Sequence, residues 1–373
     1  MLHDALCDNC QLAKIKNLNL TDQMALYEEA IDDNFNRIRK NLIYTWEQQS
    51  RIELYSEDCE TLKNNRSLLN IFMSSISVKV EEMKLKSAPM EFLKICENYS
   101  LPRVQTLSYT LDDSRITVEA QKILTNIFPG VRCVMPDKHF CYCSLSKWTQ
   151  FRTLIIRKEF LWRDPNDYCN LRDCTLIEEL IAPDIYIIKH SFDGFMPLPK
   201  LRTITISVSD GNVTTPLTAL MGIDKYGGTE GNTDNIRGLM LDKVKCTYSD
   251  LCGVVRSFRN LVRLNLDRWS CLNETRLWKI VAKSPSLQIL DITRMNLGLD
   301  FFSSSRRLMC TVMHYRRAPL TVFYAYTERE LIRRYFTHIG LQLIPEHKIQ
   351  KPLCGFIIQL ELTPLDEELI PIE

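Results

Sequence analysis

The chain has 373 residues, with 47 basic against 46 acidic side chains and a formal net charge of +1. That balance lacks the basic footprint that nucleic acid or an anionic membrane surface requires, so neither is expected as a partner. Hydrophobic residues make up 45%, enough for a large core, yet no stretch approaches the roughly 18 consecutive apolar residues of a membrane helix. The start, MLHDALCDNCQ, carries acidic residues and no apolar run, so no secretory signal is expected. The 14 cysteines are scattered rather than spaced as a framework, which fits reduced thiols in the cytoplasm or nucleus.

The first fifty residues read as short helices. Leu6, Ile15, Leu18, Leu20 and Leu26 are interrupted by a turn-like Asn-Leu-Thr-Asp segment. Thr21 or Asp22 is the expected N-cap of a helix running through Met24, Ala25 and Ile31. Phe35, Ile38, Leu42 and Trp46 carry an apolar stripe onward.

From residue 51 a different pattern takes over. Ile52 and Leu54 predict a first strand. Thereafter a spacing L-x-x-L-x-L recurs: Val80-Met83-Leu85, Val104-Leu107-Tyr109, Val131-Val134 (broken by Pro136), Phe151-Leu154-Ile156, Ile177-Leu180-Ala182, Leu201-Ile204-Ile206, Ile236-Leu239-Leu241, Leu261-Leu264-Leu266, Leu287-Leu290-Ile292 and Leu320-Phe323-Ala325. Several triplets follow a helical stripe at i, i+3, i+4, i+7. These stripes are Phe92-Ile95-Cys96-Tyr99, Ala120-Ile123-Leu124-Ile127, Leu251-Val254-Val255-Phe258 and Leu277-Ile280-Val281-Ser284. Each ends three to five residues before the next triplet. A strand plus a helix at a period in the twenties is the unit of a leucine-rich repeat, whose units must stack to bury their apolar sides. The expected fold is therefore α/β: a leucine-rich-repeat solenoid, with a curved parallel sheet and outer helices, preceded by the small helical module. The asparagine common after the strand is missing; Val244, Trp269 and Met295 stand there, so its hydrogen-bonded ladder is expected to be lost.

The domains expected are 1–50, helical; 51–345, the repeats, with a Gly-rich insertion at 209–235; and 346–373, a C-terminal cap with an acidic tail. In the insertion, Thr215-Pro216 is the expected start of a short helix. Between 301 and 340, seven arginines (306, 307, 316, 317, 329, 333, 334) face only two glutamates, predicting a basic surface.

Residues 6–46 resemble an F-box, the helical module that docks on the adaptor of SCF ubiquitin ligases. Leu6, Ile15, Leu18, Leu20 and Asp22 fall at the motif's positions, and Phe35 and Trp46 look like its later aromatics. Two positions depart: Cys7 replaces the usual proline, and Lys14 an isoleucine-like residue. Followed by the repeats, the order is that of the F-box/leucine-rich-repeat family. The resemblance implies adaptor contacts at Leu6, Cys7, Ile15, Leu18, Leu20 and Asp22, and, through the adaptor, a cullin. It also implies that the repeats hold a protein substrate for ubiquitination. Two other readings of the residues remain: a plain helical cap closing the solenoid, and a leucine-rich-repeat scaffold or inhibitor with no ligase attached.

Alternation along the strands places the substrate surface. If Leu264 and Leu266 point inward, Arg263, Asn265 and Asp267 point outward. The same rule exposes Ile155 and Arg157, Met240 and Asp242, Ile289, Asp291 and Thr293, and Val322, Tyr324 and Tyr326. Substrate contacts are expected from Ile155, Met240, Arg263, Asn265, Ile289, Asp291, Tyr324 and Tyr326. The alternative for the last strand is that segment 351–362 folds over it and buries its aromatics.

No catalytic activity is expected. The sequence has no phosphate-binding glycine loop, no G-x-S-x-G, no H-E-x-x-H and no G-x-G-x-x-G. Cys7 and Cys10 form a single C-x-x-C, whereas a structural zinc site needs four ligands. Cys133, His139, Cys141 and Cys143 form a small cluster, read as buried thiols rather than as metal ligands. Neither metal nor cofactor is expected.

Overall fold

The structure is a computed structural model. It describes residues 8–30, 36–111, 118–136, 145, 147–156, 175–182, 200–207, 235–242, 247–266, 272–293, 295, 306–316, 318–325, 330, 347–351 and 355–362. The chain divides into two compact units, Met1–Leu176 and Ile177–Glu373.

The first unit begins with three helices, α1 (Asp8–Asn17), α2 (Leu20–Glu29) and α3 (Asn36–Glu47). Asn19, not Thr21 or Asp22, caps α2: its side chain accepts from the Asp22 N–H at 2.7 Å. Several cap-competent residues crowd this turn, and the one directly before Leu20 has the extended backbone a cap needs. The helix ends at Glu29, so its expected run through Ile31 falls short, and Ile31 and Phe35 lie outside the described residues.

Next come β1 (Arg51–Leu54), α4 (Ser56–Asn64), α5 (Arg66–Ile76), β2 (Glu82–Ala88), α6 (Met90–Cys96), β3 (Thr106–Leu111), α7 (Val118–Ile127), β4 (Cys133–Met135) and β5 (Thr153–Ile155). The five strands pair in chain order, all parallel. Met83, Leu107, Val134 and Leu154 stand side by side in this ladder and are all buried. Pro136 takes the third position of its triplet, where its ring is buried, while β4 stops at Met135. On α6 the buried stripe is Phe92-Leu93-Cys96, with Ile95 only half-buried, so the expected stripe is rotated by part of a turn. The α7 stripe is buried as expected. Gly130 is dictated by close approach: a Cβ there would lie 2.0 Å from the Pro102 carbonyl oxygen.

The second unit holds β6 (Glu179–Ala182), β7 (Thr203–Ser207), β8 (Gly238–Asp242), α8 (Tyr248–Ser257), β9 (Arg263–Leu266), α9 (Glu274–Lys283), β10 (Ile289–Asp291), α10 (Arg306–His314), β11 (Leu320–Ala325), β12 (His347–Lys351) and β13 (Gly355–Leu362). Strands β6 to β11 are parallel and in chain order. Leu180, Ile204, Leu239, Leu264, Leu290 and Val322 form its central buried row. Helices start on local caps: the Thr247 side chain and Asp250 satisfy each other's backbone N–H groups, and Asn273 accepts from the Arg276 N–H at 2.9 Å. Insertion residues 209–234, including Thr215 and Pro216, lie outside the described residues.

A backbone ladder recurs where the strands begin, at the opposite end from the missing asparagines. The Gln105 carbonyl accepts from Arg132 N–H and Cys133 N–H at 2.8 and 2.9 Å. Glu81, Arg132, Glu178, Arg202, Arg237 and Val262 carbonyls repeat this bond to the following strand. Turns ahead of the strands share a bond as well, from the first triplet residue back three positions: Val104 to Leu101, Val131 to Phe128, Phe151 to Trp148, Leu261 to Phe258, Leu287 to Ser284.

Three expectations fail in the second unit. On β11 the buried residues are Leu320, Val322 and Tyr324, while Phe323 and Ala325 are half-buried. The expected register is off by one residue, because pairing sets Val322 against Leu290. Asp291, expected outward and exposed, is buried, its Oδ1 accepting from the Thr293 N–H at 3.1 Å and hydroxyl at 2.7 Å. Arg316, assigned to a basic surface, is also buried and donates to the Ser284 and Leu287 carbonyls. Side chains of the other six arginines lie outside the described residues.

The described residues of segment 351–362 do not fold over β11. Strand β13 instead pairs antiparallel with it, edge to edge, and β12 pairs antiparallel with β13. Residues 363–373 lie outside the described residues.

Candidate functional site

In the first unit, the helical module is built around Gln23. This buried amide donates to the Ile15 and Leu18 carbonyls at 3.1 and 3.0 Å and accepts from Trp46 Nε1 at 2.8 Å. It therefore closes the end of α1 and fixes α3 at one stroke. The Trp46 ring is fully buried between Tyr27, at 5.6 Å, and Phe72 of α5, at 5.3 Å edge-on. Thr21 donates to Asp58 at 2.8 Å, and Asn65 donates to Glu28 at 2.8 Å. The module is thus docked on α4 and α5 by aromatic packing and two polar ties.

The adaptor set separates by exposure. Leu18 is 36% exposed, Asp22 is exposed and Leu20 is half-buried. Ile15 is buried and offers no surface for contact; it supports α1 from within. Leu6 and Cys7 lie outside the described residues. Cys10 is exposed.

The face of the first unit's strands turned away from their buried rows is charged and self-paired. Arg51 meets Glu82 at 3.4 Å and Glu53 at 3.8 Å, and Lys84 meets Glu82 at 3.8 Å. Lys86 pairs with Glu53, donates to the Tyr55 hydroxyl at 2.9 Å and sits 4.4 Å from its ring centre. The Tyr55 hydroxyl in turn donates to Glu53 at 2.8 Å. The hydrogen bond from Lys86 holds the Glu53 carboxyl below the usual carboxylate range, against some desolvation. Lys86 is pushed above its ordinary value by the same bond, then by Tyr55. Beyond Lys84 the row continues through Ser108 to Met135. Ile155, on β5, is half-buried.

The outer face of the second unit's strands has another chemistry. One row reads Glu179, Thr203, Gly238, Arg263, Ile289, Thr321 across β6 to β11; the next reads Ile181, Thr205, Met240, Asn265, Asp291, Phe323. The expected contacts Met240, Arg263, Asn265 and Ile289 share this face and are half-buried. Asp291 occupies an outward position but is sealed by Thr293. Tyr324 is 2% exposed on the opposite face, so it cannot touch a substrate there. Tyr326, Arg157, Asp242 and Asp267 have no described side chain. Sequence reasoning omitted Thr203, Thr205 and Gly238, although the alternation applied to β7 and β8 would have found them.

Among the described residues no group of histidines, cysteines and carboxylates could hold a metal ion. Cys133 is half-buried; His139, Cys141 and Cys143 lie outside the described residues. The buried Cys59 and Cys96 thiols are pushed up by desolvation, Cys96 to about 12, which makes them poor nucleophiles at neutral pH. Among the described residues no helix is long and apolar enough to cross a membrane. No protein-family model matches the chain, and no curated protein matches it.

Proposed function

We propose that the chain is a substrate-recognition subunit of an SCF-type ubiquitin ligase, performing no chemistry itself. Its helical module would hold the adaptor, and through it a cullin; its repeats would hold the protein to be ubiquitinated. The observation that carries the reading is the split within the motif-like residues. Ile15 and Trp46 build the module's interior, while Leu18 and Asp22 stand exposed on either side of the half-buried Leu20. An exposed leucine beside a second apolar side chain is the kind of surface a partner covers, and burial of each could contribute roughly 1.5–3 kcal/mol.

Affinity capture of the full chain tests this. The wild type should retrieve SCF adaptor and cullin. Changing Leu18→Ala together with Leu20→Ala should abolish that retrieval without unfolding the repeats. A wild-type chain that never retrieves the adaptor defeats the proposal.

A second reading has its own support. Packing of Trp46 against Phe72, with the Thr21–Asp58 and Asn65–Glu28 ties, suits a cap on the repeats, which solenoids require. On that reading the chain is a leucine-rich-repeat scaffold or inhibitor without a ligase.

A further inference from the structure

The outer face of β7–β9 contains a notch. Thr203, Gly238 and Arg263 are neighbours in one row, Thr205, Met240 and Asn265 in the next. Gly238 supplies no side chain to the middle of the first row. A Cβ there would lie 3.1 Å from both Oγ1 and Cγ2 of Thr203, so the threonine leans over the gap.

Two buried polar atoms border this notch without a hydrogen-bond partner, Arg263 Nε and Thr205 Oγ1. Folded proteins rarely leave such groups unpaired, and each exception asks for an explanation. Both can donate a hydrogen bond. None of the six residues is acidic. Asp291, one strand beyond Asn265, is already engaged by Thr293, and Glu179 lies on β6, beyond Thr203. Among the described residues no carboxylate pairs with Arg263. The notch therefore holds a cation and a hydroxyl donor, with the apolar Met240 alongside.

We propose that this notch receives the carboxylate of an aspartate or glutamate in a bound protein segment. Arg263 supplies the countercharge and an N–H donor, the Thr205 hydroxyl a second donor, and Met240 an apolar wall for the acidic side chain's stem. A lysine could supply the charge but not the planar fork. The inference rests on the reading of the repeats as a protein-binding surface and specifies the chemistry of what they bind.

The test uses the full chain and fluorescein-labelled hexaglutamate, hexaglutamine and hexaphosphoserine peptides, with anisotropy as readout. Hexaglutamate should bind and hexaglutamine should not. Arg263→Gln should weaken hexaglutamate binding by about tenfold or more, as loss of a charged hydrogen bond does. Thr205→Val should weaken it less, and Thr205→Ser should restore it. Arg259→Gln, which removes an exposed charge from the same unit, should leave binding unchanged. Equal losses for Arg263→Gln and Arg259→Gln would mean diffuse attraction and would overturn the proposal. Absence of hexaglutamate binding, or binding of hexaphosphoserine alone, would overturn it too. If Arg263→Gln lowers the melting temperature, the two Thr205 variants carry the test. Adaptor retrieval is scored in parallel: peptide binding without the adaptor defeats only the ligase reading, and retrieval of the adaptor without peptide binding defeats only this one.

Discussion

The outer strand faces of the two units solve the same problem differently. Across β1 and β2, every charge described has an opposite within reach: Arg51, Glu53, Glu82, Lys84 and Lys86 form one chain of ion pairs, tied in by Tyr55. Across β7 to β9, hydroxyls, a glycine, a methionine and an asparagine surround one arginine whose Nε has no partner. A self-paired lattice is soluble and needs nothing further. A cation held without its countercharge is incomplete until something else supplies it. Under the proposed function, the contrast points to the second unit as the recognition surface rather than to all the strands.

Core substitutions should ignore the contrast, and they give the largest effects. Tyr324→Ser should cost about 3–5 kcal/mol, because the ring is buried beside the layer containing Val322 and Leu290. Urea unfolding would check it, and a wild-type midpoint would return Tyr324 to the surface. Leu107→Ala and Leu264→Ala should each cost about 2–5 kcal/mol, since both are fully buried in the central rows of their own units. If only one of them destabilised, the two units would differ inside as well as outside.

Outer-face substitutions should separate the units. Glu53→Gln should lower stability by less than either core change, because its partners are partly solvated. The loss should depend on pH. Glu53 is held below its ordinary value, so its contribution is present above the carboxylate range and fades as pH falls through the lowered value. Lys86 is raised, so its share persists at neutral pH and is lost only as pH rises through that raised value. Melting curves of wild type and Glu53→Gln should therefore differ at neutral pH and converge in acid. Arg263→Gln should be the smallest effect, within about 0.5 kcal/mol of wild type, since no ion pair is broken. A large loss there would reveal a partner that the notch lacks and would erase the contrast.

The strand array was legible because its buried positions repeat. Leu264 and Leu290 each sit in a triplet, and the helix capped by Phe258 or Ser284 meets the strand through a turn of fixed length. β11 was not, because LTVFYA offers apolar residues in both alternating sets, and a slip of one residue exchanges its faces. What selected the register was pairing: Val322 beside Leu290, with β13 on the other edge. Asp291 was misjudged because alternation assigns a face, whereas its burial depends on a local bond to Thr293. Helices α4 and α5 fall where no triplet recurs, and the role of Gln23 in joining α1 to α3 leaves no periodic trace. The close approach of Thr203 to Gly238 is likewise a relation between strands, invisible until register is known.

Calorimetric titration of purified adaptor into the purified full chain tests the proposed link between a protein substrate and an SCF adaptor without intermediaries. The wild type should show saturable one-to-one binding. The Leu18→Ala, Leu20→Ala double variant should show none, and its melting temperature should match wild type because Leu18 is exposed and Leu20 half-buried. No heat with the wild-type chain, or undiminished binding by a well-folded double variant, would contradict that link and leave the three helices as a cap on the repeats.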